Sequence, residues 1–347
     1  MSTSRLLQRR VEAAWRARGA LATCLWPLSL VYRAGVALRS ALFAAGVLRT
    51  ERVAAPVVVV GNLVAGGAGK TPAVLAVVEL LRRSGWTPGI VSRGYGRSGE
   101  GVLDLARDMP AGRCGDEPLL LHLRSGAPVV VGRDRVAAAR ELLRLHREVD
   151  IVVSDDGLQH RRLARDAQLI VFDERGAGNG WLLPAGPLRE PMTQAVPARS
   201  VVLYNAPAPS AAWPGSTAQR SLAGATSLAD WWAGRAPDRD LLVLLQERPL
   251  LGVAGLARPG RFFAMLRAHG LQIDELALPD HHPFTSLPWP AQTRDVILTE
   301  KDAVKLPPTT ALGATRVWVA TLDFRLEPAC EQALLRLLPT PPAVREE

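Results

Sequence analysis

Short runs of apolar and β-branched residues recur along the first 205 or so positions of the chain, each followed by a stretch of helical composition. Residues 57–60, 89–92, 128–131, 151–154, 168–172 and 201–204 read as strands that are apolar on both faces. Residues 73–83, 117–124 and 135–146 lie between them and read as helices. Strands with no polar face, alternating with helices, predict a mostly parallel sheet covered on two sides. In such folds ligands gather at the carboxyl ends of strands. After Tyr204 the pattern weakens, and the Pro- and Ala-rich residues 206–215 read as a loop or linker. Residues 241–245, 252–254 and 261–269 restart the strand–helix alternation, followed by 280–284, 295–299 and 316–320. The expectation is an α/β protein with an N-terminal helical segment over 1–50, a parallel-sheet domain over 51–235 and a smaller α/β domain over 240–338.

The first of these strands runs into GNLVAGGAGKTP, residues 61–72, and a helical stretch follows it. Strand, glycine loop and a helix opening on Gly-Lys-Thr form the geometry of a phosphate-binding loop. Successive backbone N–H groups around Gly66, Gly67, Ala68 and Gly69 can turn toward phosphate oxygens, and the helix N-terminus adds partial positive charge. Lys70 would reach the β- and γ-phosphates of a nucleotide, and the Thr71 hydroxyl would ligate Mg²⁺. The pattern departs from the usual one at its first position, where Val64 replaces a glycine. The large domain is therefore expected to resemble phosphate-loop nucleoside triphosphatases, with ATP and Mg²⁺ as cofactors.

The N-terminal segment is basic, with no acidic residue between Glu12 and Glu51. Residues 19–32 are uncharged and contain Trp26 and Pro27, a stretch shorter than the roughly 20 apolar residues that span a bilayer. Arg33 and Arg39 interrupt the apolar residues that follow, so the segment is expected to lie in a membrane interface, arginines on one side and apolar residues on the other. A helix packed on the protein body is the other reading of the same residues.

Charge supports an anionic partner. The net charge is +9 and the pI near 10.4. Only 5% of residues are aromatic and no RNA-binding aromatic signature is present, which argues for acidic lipid or a phosphorylated substrate and against nucleic acid. Nearly all of the positive charge is arginine, since Lys70, Lys301 and Lys305 are the only lysines. A compact ammonium at Lys70 suits a phosphate loop. Cys24, Cys114 and Cys330 are far apart and form no CxxC pair, which argues for a reducing compartment without a disulfide framework or a zinc site.

Other constellations carry chemistry at strand ends. The apolar run 151–153 leads to Ser154, Asp155 and Asp156, and carboxylates after a second strand support Mg²⁺ in phosphate-loop proteins. Arg93 and Arg97 follow a strand in SRGYGR and can hold phosphate oxygens. Asp116 and Glu117 open a helix, where acidic side chains also serve the helix dipole. Asp280, His281 and His282 can be metal ligands, proton carriers or a turn, and a His that shares a proton with a carboxylate fits best. Residues 178–190 form a glycine–proline loop whose Leu182, Leu183 and Leu188 can meet an acyl chain or pack beneath the loop.

Taken in order, GNLVAGGAGKTP, SRGYGR, GDEPLLL, SDDGLQH, GNGWLLPAGPLRE, DHHPF and TEKDAVK closely resemble the motifs of the tetraacyldisaccharide 4′-kinase family, across most of the chain. Val64 and Ala65 stand where that family has Ser or Thr followed by Val. The resemblance implies two α/β domains around a cleft, joined by a narrow linker, with an N-terminal membrane-binding helix. It implies transfer of the ATP γ-phosphoryl group to the 4′-hydroxyl of a tetraacylated glucosamine disaccharide 1-phosphate, in lipid A synthesis at the cytoplasmic face of the inner membrane. Carried onto this chain, it makes Asp116 the base with His281 or His282 as its partner, gives Glu190 a place in the site, and puts Asp155 and Asp156 beside the metal. The competing class is a membrane-associated ATPase switch that uses the same loop without phosphorylating a lipid.

Overall fold

A computed structural model describes residues 11–342 apart from Glu12 and Ala68. Ala68 of the phosphate loop and residues 1–10 of the basic N-terminus thus lie outside the described residues. The described elements begin with helix α1 (Ala20–Ala44), strand β1 (Val57–Gly61), α2 (Lys70–Arg83), β2 (Pro88–Ser92) and β3 (Leu103–Asp104). They continue with α3 (Ala111–Cys114), α4 (Asp116–Ser125), β4 (Val129–Val131), α5 (Arg135–Leu145), β5 (Ile151–Asp155), β6 (Ala167–Asp173) and β7 (Ser200–Asn205). The chain then forms β8 (Ser216–Ser227), α6 (Leu228–Trp232), α7 (Arg239–Leu245), β9 (Leu250–Ala254), α8 (Pro259–Ala268) and β10 (Ile273–Ala277). The last elements are β11 (Asp295–Thr299), α9 (Glu300–Ala303), β12 (Arg316–Leu326) and α10 (Pro328–Leu335).

These elements form two compact units that interleave in sequence. One comprises Met1–Arg93, Asp134–Ala218 and Leu326–Glu347, and the other Gly94–Arg133 and Gln219–Arg325. Contiguous domains at 51–235 and 240–338 do not follow these units, because residues 94–133 pack with the chain beyond 219.

In the first unit, strands run in the order β7-β6-β1-β5-β2, every neighbouring pair parallel. β1 and β5 lie at the centre and are buried at every position, which is why their sequences are apolar without alternation. α2 buries Val74, Val77, Val78 and Leu81, one face at helical spacing, and packs on this sheet. Because Val60 pairs with Asp155, the loop after β1 and the carboxylates after β5 emerge side by side at the carboxyl edge.

The second unit has the parallel run β10-β9-β11-β12. Its core gathers Leu242, Leu245, Phe262, Phe263, Leu266 and Ile297. Residues 241–245, read above as restarting the alternation with a strand, are the end of helix α7. Asp238 caps it by accepting from the Asp240 N–H, and burial at Leu242 and Leu245 with Val243 and Leu244 exposed has helical spacing. Residues 280–284 form a turn, with His281 and Phe284 in the left-handed region at φ 56° and 52°.

Helix α1 runs unbroken for 25 residues, through Arg33 and Arg39, and by length and composition is able to cross a membrane. The uncharged stretch alone suggested something too short, because a single arginine does not end a helix. The arginines do not share one side either: six residues apart, they point about 120° from each other, and Arg39 lies over the Phe43 ring. Leu28, Val31 and Leu38 are 57%, 72% and 62% exposed and fall within about 80° of one another on the helix. The other side is anchored to the first unit, where Ser29 is buried and donates to the Leu182 carbonyl at 2.8 Å.

Candidate active site

The phosphate loop begins where β1 ends. Gly69 sits at φ 75°, ψ 37°, immediately before α2, and a Cβ there would lie 1.9 Å from the Asn205 amide nitrogen. Both facts require glycine. Asn62 is fully buried and donates to the carbonyls of Val64 and Gly66 at 2.7 and 3.3 Å, shaping the turn from inside. Arg175, itself paired with Asp173, donates to the carbonyls of Ala65 and Gly67 at 3.2 and 3.0 Å. With its carbonyls drawn outward, a loop of this kind presents amides to an anion. Lys70, mostly buried, places its Nζ 3.3 Å from Asn62 Oδ1 and 3.5 Å from Asp156 Oδ1. Thr71 is half-buried in the first turn of α2.

Asp155 and Asp156 behave differently. Asp155 is buried and accepts from the Ser92 hydroxyl at 2.8 Å. Asp156 turns out of the strand at φ 47° and meets Lys70 and Arg189, the latter at 3.1 Å. Burial pushes the Asp156 carboxyl up, but the Lys70 and Arg189 charges outweigh it and hold the group below the usual carboxylate range. Among the described residues no three His, Cys, Asp or Glu side chains gather as a metal cage. Two carboxylates and a hydroxyl are the sparse, hard-oxygen set that suits Mg²⁺ completed by phosphates and water. Arg135, buried at the start of α5, faces both aspartates, and burial pushes it down to about 10 against their pull. Arg93 is exposed just past β2, whereas Arg97 donates to the carbonyls of Val131 and Gly101.

The 178–190 loop is fastened to the phosphate loop: Ala65 N donates to the Pro187 carbonyl at 2.8 Å, and Arg189 N to the Leu63 carbonyl at 2.7 Å. Leu182 and Leu188 are buried. Glu190 accepts from Gln159 at 2.9 Å and from Arg161 at 3.0 Å, so both of its oxygens are held. Arg161 also donates to Ser40 of α1, and Tyr32 of α1 donates to the Arg189 carbonyl at 2.9 Å. Arg161 thereby links Glu190 and the segment after β5 to α1.

In the second unit, Asp116 opens α4 after Gly115, whose φ of 95° a side chain would resist. Asp116 Oδ2 lies 2.8 Å from His281 Nδ1, and Oδ1 accepts from the Glu117 N–H at 2.9 Å. His282 is elsewhere, its Nδ1 accepting from Phe284 N at 3.2 Å and its ring against that of Phe284. Burial pushes Asp116 up, but the hydrogen bond from His281 and the charges of His281, Lys301 and Lys305 hold it below its ordinary value. The same hydrogen bond raises His281, with burial and Lys301 opposing.

The TEKDAVK segment supports this pair. Thr299 caps α9, and Asp302, fully buried, pairs with Lys305 at 3.0 Å and accepts from Gly255 N at 2.9 Å. Arg124 of α4 bonds to Glu300, which also accepts from the Trp231 indole at 3.0 Å. Lys301 donates to Glu117 at 3.0 Å and to Asp280 at 3.2 Å, linking the helix that bears Asp116 to the turn that bears His281.

A sequence model described as tetraacyldisaccharide-1-P 4′-kinase matches residues 21–339. The chain belongs to that family. It is 58% identical over 324 residues to the tetraacyldisaccharide 4′-kinase of Methylibium petroleiphilum, covering 92% of this chain and 90% of that one. Against that of Leptothrix cholodnii it is 54% identical over 97% of this chain and 98% of the other. A crystal structure of the "apo" form of LpxK from Aquifex aeolicus in complex with ATP superposes with a TM-score of 0.74 at 25% identity, covering 91% of this chain and 99% of that chain. These comparisons lend no support to a nucleotide-driven switch.

Within the family fold, Asn62, Gln159, Arg161, Arg175 and Arg189 are functional candidates that motif reading passed over. A signal existed for four of them, because Gln159 lies in SDDGLQH and Arg161 directly after it, Arg189 beside Glu190, and Asn62 inside the glycine loop. None existed for Arg175, which reaches the loop from the turn after β6.

Proposed function

We propose that this chain transfers the γ-phosphoryl group of ATP to the 4′-hydroxyl of a tetraacylated glucosamine disaccharide 1-phosphate, a step of lipid A synthesis. The phosphate loop with Lys70 cradles the nucleotide and offsets charge on the transferred group. The sugar oxygen attacks the γ-phosphorus, its proton passes to the Asp116 carboxylate, and ADP departs with the electron pair of the broken bond. A sugar hydroxyl is a poor nucleophile, and an ionised Asp116 aligned by His281 meets that need. Thr71, Asp155 and Asp156 would hold Mg²⁺, which would supply charge neutralisation for the phosphates when bound. Arg93, an exposed guanidinium at the end of β2, is assigned to phosphate oxygens. Glu190, with both oxygens held by Gln159 and Arg161, positions rather than reacts.

The substrate is a lipid, and α1 supplies the contact with its bilayer. The exposed stripe of Leu28, Val31 and Leu38, with Arg39 at its edge, suits the anionic cytoplasmic face of the inner membrane. The single observation that carries the reading is the Asp116 carboxylate lying 2.8 Å from His281 Nδ1, in a chain that also bears a Gly-Lys-Thr phosphate loop. Incubation with γ-³²P-labelled Mg-ATP and the acylated disaccharide acceptor, resolved by thin-layer chromatography, tests it. Label moves into the lipid; release of inorganic phosphate alone, with or without acceptor, refutes the kinase reading.

A further inference from the structure

Lys301 has a contact that neither phosphate binding nor packing explains. Its Nζ lies 3.3 Å from His281 Nε2, in addition to its bonds to Glu117 and Asp280. An ammonium has three N–H donors and no acceptor. A donor-only group at that distance is satisfied only by a lone pair on Nε2. On the opposite side of the ring, an ionised Asp116 has only acceptors to offer Nδ1, so Nδ1 must carry the hydrogen.

We propose that Lys301 is a positioning residue that holds His281 as the neutral Nδ1–H tautomer and so keeps Asp116 an ionised, fully basic proton acceptor. The proposal rests on the base role given to Asp116 above. If Nε2 took a proton, an imidazolium N–H would face the ammonium, and the doubly protonated ring would stabilise the Asp116 carboxylate and make it a weaker base. The other groups facing the ring are Asp280 on its own turn and the Tyr95 ring at 6.0 Å, with Glu117 on α4 bonded to Lys301 and Lys305 acting at longer range on Asp116. The two carboxylates beside Lys301 favour its charged form over the burial that opposes it, so the ammonium persists through the range in which His281 titrates. Its side chain is 18% exposed and bonded at three points, which fixes the head group against the ring.

The experiment is the pH profile of kcat and of KM for ATP with the lipid acceptor, for wild type, Lys301→Met and Lys301→Arg. Without the cation His281 binds a proton more readily, so the acid limb of the kcat profile for Lys301→Met moves to higher pH by about one unit, with KM for ATP unchanged. Lys301→Arg keeps a cation and leaves the limb where wild type has it. A uniform loss of kcat across pH in Lys301→Met, with the limb unmoved, shows a strut and overturns the proposal. A second readout needs no turnover and no variant of Lys301. In ¹⁵N-histidine-labelled wild type at pH 8.5, with the signal assigned by its loss in His281→Gln, the ring nitrogens report the Nδ1–H tautomer. The Nε2–H tautomer would overturn the proposal. Failure of the underlying base reading is separate, because it shows as undiminished kcat in Asp116→Ala while the tautomer of His281 can still be measured.

Discussion

Adding one methyl group to the phosphate loop, Gly69→Ala, separates its geometry from its chemistry. The residue sits at φ 75°, where a side chain costs about 1–2 kcal/mol. The new Cβ also lies 1.9 Å from Asn205 Nδ2 and 3.1 Å from its Cγ. Asn205 is 2% exposed at the end of β7, so it has little room to withdraw, and such overpacking costs about 1–3 kcal/mol. If the loss falls on the loop conformation that binds nucleotide, the sum of about 2–5 kcal/mol weakens ATP binding by about 30-fold to about 4,000-fold. Titration of a fluorescent ATP analogue in the presence of Mg²⁺ measures this, with a thermal melt to confirm folding. In an Asn205→Ala background the obstacle is gone and only the backbone cost remains, so the same substitution then weakens binding by about 5-fold to about 30-fold. Binding by Gly69→Ala within threefold of wild type would refute the reasoning, since a loop that tolerates a Cβ there does not have this shape.

Asp116→Ala lowers kcat by about 10²-fold or more while ATP affinity holds; equal loss of both would make Asp116 structural. His160, pushed down to about 4 by burial and by Arg135, accepts from Arg135 N at 3.3 Å as a neutral ring. Its folded pKa lies below the unfolded value near 6.5, so its stabilising contribution is complete above that value and is lost as pH falls toward about 4. His160→Gln flattens the denaturant-stability profile over that window, and an unchanged slope would contradict the assignment. Val31→Glu with Leu38→Glu removes two apolar contacts worth about 1.5–3 kcal/mol each on full burial, so vesicle affinity falls by at least about 10²-fold. Unchanged flotation with anionic liposomes would rule out this face as the membrane contact.

The first unit was legible because a buried parallel strand writes itself as an unbroken apolar run and the phosphate loop has fixed spacing. The same rule misread residues 241–245, where five apolar residues in a row are a short helix with one exposed face, set by the Asp238 cap. β8 was missed for the opposite reason, since much of it is half-buried or exposed and its polar residues carry no strand pattern. The pairing of Asp116 with His281 joins residues 165 positions apart, and spacing alone could not choose between His281 and His282. A left-handed backbone at His281 turns one imidazole to Asp116, while the next packs on Phe284. The interleaving of the two units was equally invisible, because nothing local marks residues 94–133 as partners of the chain beyond 219.

The most direct test identifies the hydroxyl that receives phosphate. Purified protein is given Mg-ATP and the acylated disaccharide 1-phosphate in detergent micelles, and the product is mapped by ¹H–³¹P correlation. The account predicts a new phosphate ester at C4′ alone, with one ADP formed for each. ADP without a lipid phosphate, or phosphate at another position, would contradict it.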